Sequence, residues 1–202
     1  MNEGKKFEQD FKKSLDQHTD LWVYRPSDFG GGQSGRFTNV SLCDYIVFNT
    51  SIQELYLLEL KSVQGKSISC PSCELMNIIH NLQSDINNKK TDDVKAARAL
   101  LKEHTKKANT YNIKYHQIAD LKDVENAGYE HINVYFIINF RDYDKTYYCT
   151  PMTLIAILLE TKKSSINISD FDKFNIKTIS QSKNRTRQHY DIGELLCQNK
   201  QR

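Results

Sequence analysis

The sequence predicts an α/β domain in which a mixed central β-sheet carries helices on its faces. Three observations lead there. Two apolar, β-branched runs, residues 41–48 (SLCDYIVF) and 55–60 (LYLLEL), flank the polar turn Asn49-Thr50-Ser51-Ile52 as the arms of a hairpin do. A third run, 131–140 (HINVYFIINF), has the strongest strand pattern in the chain and belongs at the centre of a sheet. Around these, apolar residues recur at helical spacing, as at Phe7, Phe11 and Leu15 and again at Leu75, Ile78, Ile79 and Leu82.

Taken in order, residues 5–17 form an amphipathic helix, with Glu8 beside its apolar stripe. Residues 21–25 (LWVYR) make a short strand that Pro26 ends. Three successive glycines make 28–35 (DFGGGQSG) a loop, either a connector or a segment whose backbone approaches a phosphate. The hairpin follows. Residues 73–86 and 91–108 are helices joined by a turn at 87–90, and Thr91 serves as N-cap with Asp92 and Asp93 in the first turn. This lysine- and asparagine-rich pair, within an insertion at about 66–112, reads as a lid or arm outside the sheet. A helix over 114–126 ends at Gly128. Beyond the central strand, 147–150 is a strand, and Pro151 opens a helix that runs to Glu160. The tail has a short strand after Phe174, the polar run 181–189, and then 190–196.

A chain of 202 residues suits one domain, here residues 1–202. A net charge of +3 and a pI of about 8.5 fit a nucleic-acid partner without requiring one. Lysine and arginine gather at 5–13, 89–107 and 183–187, as phosphate-guiding patches or as solvated helix faces. No apolar run is long enough to span a membrane and the N-terminus lacks signal-peptide character, so a cytoplasmic protein is expected. Five cysteines are an odd number, which implies free thiols. Cys70-Pro-Ser-Cys73 resembles half a zinc knuckle with His80 nearby. Four ligands are not assembled, which favours two thiols in a loop.

The chemistry concentrates in Asp44-x14-Glu59-x-Lys61. If the turn centres between Ser51 and Ile52, Asp44 lies directly across from Glu59, and Lys61 shares the Glu59 face. Two facing carboxylates repel one another, and a hard divalent cation relieves this. Mg²⁺ is held by one or two carboxylates together with water and phosphate oxygens. Glu-x-Lys pairs are common on exposed strands. Here, however, Leu57, Leu58 and Leu60 flank the pair, and a carboxylate in a buried strand is costly unless paired or metal-bound.

Asp44 with Glu59-Leu60-Lys61 resembles the PD-(D/E)xK nuclease signature. Gly4-Lys5-Lys6-Phe7-Glu8 on the first helix, and Tyr115-His116-Gln117-Ile118 opening the helix before the central strand, narrow the resemblance to RecU-like Holliday junction resolvases, including those of phages of Gram-positive bacteria. It runs from about Gly4 to Ile157, interrupted by the lysine-rich helices. The resemblance implies a restriction-endonuclease-like core and a homodimeric, Mg²⁺-dependent (or Mn²⁺-dependent) endonuclease that cuts branched double-stranded DNA. It makes Asp44 and Glu59 metal ligands, Lys61 the water-orienting cation, Glu8 an auxiliary acid, and Gln117 a neighbour of the site with His116 beside it. A solvated helix acid is the other reading of Glu8, and a local hydrogen bond that of His116. Lys102, Lys106, Lys107, Arg185 and Arg187 are candidates for DNA backbone contacts. The chain departs from the group in two ways. Cys43 replaces the proline of the signature, and the interval that carries a stalk in RecU proteins is short and glycine-rich here. The rivals are another PD-(D/E)xK endonuclease, of restriction or repair type, and a non-catalytic DNA-binding module.

Overall fold

The computed structural model describes residues 3–26, 41–91 and 93–196. The glycine-rich stretch at 28–35, Asp92 and Cys197 lie outside them. In chain order the helices are α1 (Glu3–Leu15), α2 (Cys73–Asn87), α3 (Val94–Ala108), α4 (Tyr115–Asn126), α5 (Pro151–Thr161), α6 (Ile168–Lys173) and α7 (Gly193–Leu196). The strands are β1 (Leu21–Tyr24), β2 (Tyr45–Asn49), β3 (Glu54–Val63), β4 (Ser67–Ser69), β5 (Ile132–Phe140), β6 (Lys145–Cys149), β7 (Ser165–Asn167), β8 (Thr178–Ile179), β9 (Gln181–Asn184) and β10 (Arg187–Tyr190).

Among the described residues six strands form one mixed sheet in the order β1-β2-β3-β5-β6-β8. β3 and β5 are parallel, and the other neighbours are antiparallel. Helices flank the sheet, so this is a mixed α/β architecture compatible with a restriction-endonuclease-like core. β3 and β5 read as nearly continuous apolar runs because both of their faces are covered. On one face, Leu57, Val134, Phe136 and Ile138 pack against Ile118 and Leu121 of α4 and Leu154, Ile157 and Leu158 of α5. On the other, Tyr45, Val47, Leu58, Leu60 and Ile137 meet Phe7, Phe11 and Leu15 of α1. The period of four between these three residues is why α1 is buried along a single stripe.

The hairpin turn has the expected centre. Asn49 pairs with Glu54 and Tyr45 with Leu58, which leaves residues 50–53 as the loop. Asn49 closes it by accepting the Ser51 N–H at 2.9 Å. β2 nevertheless starts at Tyr45, not at residue 41. The preceding residues turn, with the Ser41 hydroxyl donating to the Cys43 carbonyl at 2.7 Å.

Other expectations shift. The cap of α3 is Asp93, whose carboxylate accepts the Ala96 N–H at 2.9 Å, and not Thr91. Residues 67–69, at the start of the expected helical insertion, form β4 and pair with β7. The helical arm therefore begins at Cys73. α2 and α3 share a small core of Leu75, Ile79 and Ala108, with Leu101, Tyr111 and Tyr115 against it. The polar run 181–189 is the β9–β10 hairpin, and the short strand after Phe174 is β8. No helix among the described residues is long and apolar enough to cross a membrane.

Candidate active site

Three elements bring the site together. β3 carries Glu59 and Lys61 two residues apart on one face. Asp44 stands just before β2 and leaves the regular ladder: its N–H donates to the Leu58 carbonyl at 3.1 Å and its carboxylate reaches the Leu60 N–H, so it flanks Glu59 along β3. The N-terminus of α4, on the same side of the sheet, supplies Gln117.

Each side chain is held in place. Asp44 stands where the ladder ends, and its Oδ2 accepts the Leu60 N–H at 2.7 Å in place of a strand carbonyl. Glu59 is buried at 3% exposure, and its Oε1 lies 2.7 Å from Lys61 Nζ. Gln117 Nε2 donates to the same Glu59 oxygen. Gln117 Oε1 accepts the Lys114 backbone N–H at 3.0 Å, half of a capping box at the third residue of α4. With its oxygen committed to the helix end, its amide nitrogen is the end left to face the carboxylate.

Glu8 comes from α1, on the opposite side of the sheet. It pairs with Arg25, the residue after β1, and the Tyr45 hydroxyl donates to the Glu8 carbonyl at 3.2 Å. The Arg25 guanidinium lies over the Tyr45 ring, 5.6 Å from its centre. Its burial is outweighed by Tyr45, Glu8 and Asp44, which hold its pKa above the ordinary value. No local signal marks Arg25: a charged residue before a proline at a strand end is ordinary, and the pairing with Glu8 spans two elements.

The electrostatics follow from burial. It pushes the Glu59 carboxyl up to about 7; the Lys61 ammonium offsets part of this, and the charges of Asp44 and Glu8 add to it. Asp44 is raised in the same way, against the Leu60 N–H and Lys61. The adjacent Cys43 thiol is pushed up to about 12, which makes it a poor nucleophile. His116 is held below its usual range by burial and by Lys114 and Lys61, and its Nδ1 lies 3.3 Å from Asn109 Oδ1. That is a local contact between α4 and the base of the arm.

Among the described residues no group of three or more His, Cys, Asp or Glu side chains is arranged to hold a metal ion. Two carboxylates raised in pKa by burial, with neighbouring acids adding to it, are still a donor set that a hard divalent cation suits, with water and substrate oxygens completing its shell. Glu8, tied to Arg25, acts on this pair through its charge.

None of the candidate DNA contacts is hydrogen-bonded or ion-paired to this centre among the described residues. Lys102, Lys106 and Lys107 are exposed on α3, and Arg98, Lys102 and Lys106 follow one another at intervals of four, as one basic ridge. Arg185 is exposed at the β9–β10 turn with φ +56°. Arg187 is already engaged: its Nη1 lies 3.0 Å from Oδ1 of Asp10, which is 2% exposed, and the Gln188 N–H donates to the other Asp10 oxygen at 3.2 Å. Its first task is therefore to dock the hairpin on α1. The four described cysteines are free, and Cys70 and Cys149 are buried in the core.

No protein-family model matches the chain, and no curated protein sequence is significantly similar to it.

Proposed function

We propose that the protein is a Mg²⁺-dependent endonuclease of the PD-(D/E)xK type that acts in the cytoplasm as a homodimer and resolves four-way DNA junctions by paired phosphodiester hydrolysis. One observation carries the reading: on a buried strand Glu59 is met by Lys61 and Gln117 at a single carboxylate oxygen, while Asp44 bonds to Leu58 and Leu60 on either side of it. An ordinary exposed strand has no need to bury a carboxylate and engage it twice.

In this reading Asp44 and Glu59 are the residues that hold the cation. Bound there, it would polarise a phosphodiester and acidify a water. The chain's own groups do the rest. Gln117 fixes the rotamer of Glu59, and Leu60 fixes that of Asp44 through its N–H. Lys61, 17% exposed, sets a positive charge where the attacking water and the phosphate oxygens gather. Two such sites related by dimer symmetry match the symmetry of a four-way junction. The ridge on α3 and Arg185 offer phosphate contacts outside the chemistry.

The test is to incubate the protein with a labelled four-way junction and an equal-length duplex, with Mg²⁺ and with chelator. Paired nicks in the junction, dependent on Mg²⁺ and abolished in Asp44→Asn while binding persists, support the proposal. Cleavage of the linear duplex alone makes it another endonuclease of the same type. Binding without any cleavage makes it a DNA-binding module.

A further inference from the structure

Three rows of side chains cross the sheet face that carries Glu59 and Lys61. The first is Trp22–Phe48–Leu55–Ile132 and the second Tyr24–Ile46–Leu57–Val134. The third is Glu59–Phe136, with Asp44 nearby just before β2. α4 and α5 cover the central part of this face. Among the described residues its β1–β2 side is open: Trp22 is 56% and Tyr24 46% exposed, and Ile46 and Phe48 are half-buried. The Trp22 and Tyr24 rings lie nearly parallel, with centroids 5.8 Å apart and planes 9° from one another. Their alternates, Leu21 and Val23, pack against the α1 core, which locks the strand with its two aromatic rings outward.

We infer that this aromatic shelf is a stacking platform for DNA bases that lack a stacking neighbour, adjoining the centre that cuts the backbone; the inference rests on the endonuclease reading. Among the described residues Trp22 and Tyr24 serve no core, and exposed aromatic rings bind other flat π-systems. Within a continuous duplex each base is covered above and below, and the grooves present only edges. Without prying a duplex open, a ring stacks on a base only at a branch point, a fork, a free end or a single strand. The position fits. Tyr24 pairs with Ile46, and Asp44 stands two residues before Ile46, just ahead of β2, so a diagonal strand spacing of about 7–8 Å sets the scale between Tyr24 and Asp44. That is about two steps along a stacked strand at about 3.4 Å each. A base close to the phosphate being cut therefore reaches the shelf. Asp44, Glu59 and Lys61 engage only the backbone, which is the same in every DNA. The shelf supplies a preference for branched substrates that they cannot.

Trp22 is the chain's only tryptophan, so its fluorescence reports on the shelf directly. The whole protein is titrated in EDTA with a four-way junction, a single-stranded oligonucleotide and a closed-end duplex. Quenching by the first two, and not by the duplex, is expected. Trp22→Thr and Tyr24→Thr, which keep a strand-favouring residue, should weaken junction binding roughly 5- to 100-fold. They should raise KM with kcat and thermal midpoint unchanged, while Trp22→Phe retains most of the binding. If the wild type cuts DNA but shows no quenching and both threonine variants keep their KM, the shelf is refuted and the endonuclease stands. Quenching by branched DNA with no cleavage of any DNA keeps the shelf as a base-binding surface and refutes the endonuclease. A Trp22 signal that changes with protein concentration alone means that a second copy covers the shelf, and overturns the inference.

Discussion

Gln117 donates its side-chain amide to the carboxylate of Glu59, across 58 residues of chain. Because the Gln117 oxygen is committed to the Lys114 N–H, the amide cannot turn away without uncapping α4. Gln117→Ala should therefore lower kcat about 10- to 100-fold, the usual cost of losing a partner that orients a metal ligand. Gln117→Glu should be worse, since it sets one carboxylate against another. Single-turnover cleavage rates measure both effects, and unchanged rates would remove Gln117 from the site.

The Glu59 carboxyl gives a pH dependence with a defined sign. Its folded-state pKa of about 7 lies above the ordinary value of 4.5. Between these values the native protein holds a proton that the unfolded chain has released. Without a cation, stability is full below about pH 4.5 and declines as pH rises to about 7, by about 2–4 kcal/mol for this group. Glu59→Gln removes the titration. In chelator its thermal midpoint should match the wild type near pH 4.5 and exceed it by several degrees at pH 8. Mg²⁺ should narrow that gap by raising the wild type alone. A pH-independent difference in midpoint would contradict the assignment.

Asp10 and Arg187 form an asymmetric pair, since Asp10 is buried and Arg187 is half-exposed. Arg187→Ala leaves a buried carboxylate with its strongest partner removed and should cost about 1–3 kcal/mol. Asp10→Asn leaves a solvated arginine and keeps an acceptor for the Gln188 N–H, so it should cost less. Urea unfolding of the two variants compares them directly. An equal or reversed order would mean that the hairpin does not depend on this contact.

Exposed lysines on α3 should act through the salt dependence of binding rather than through stability. Replacing Lys102, Lys106 and Lys107 together by glutamine should weaken binding to every DNA alike. It should reduce the slope of log affinity against log salt by up to about 2.7, at about 0.9 per phosphate contact. A slope unchanged by the triple substitution would place the DNA elsewhere.

Residue pattern accounts for much of this architecture and falls short at definable places. The Asn49–Glu54 closure was readable because polar turn residues sit symmetrically between apolar runs, and it brings Asp44 to the Leu58–Leu60 stretch; the departure from the ladder there, with the Asp44 N–H on the Leu58 carbonyl, was not readable. The Phe7, Phe11, Leu15 stripe declared its helix and its buried face. β4 and β7 were not readable, since Ser-Ile-Ser and Ser-Ile-Asn have no period of their own and become strands only by pairing across distant chain. The β9–β10 hairpin lacks both usual signals: its strands are polar, and Arg185, not glycine, takes the left-handed position in its turn. It is held from outside, by Asp10. Thr91, Asp92 and Asp93 are all competent caps, so the choice among them depends on where packing starts α3. Gln117 was marked only through the resemblance, because no spacing rule links a helix start to a carboxylate on a distant strand.

The parallel pairing of β3 with β5 has a lasting consequence. Strands that run side by side in one direction cannot be joined by a tight turn, so the chain must make an excursion before returning. The α2–α3 pair rides on that obligatory detour, downstream of Lys61 and upstream of Gln117. Lineages could stretch, trim or recharge this outrigger without disturbing the two carboxylates, so reach and reactivity can evolve on separate schedules.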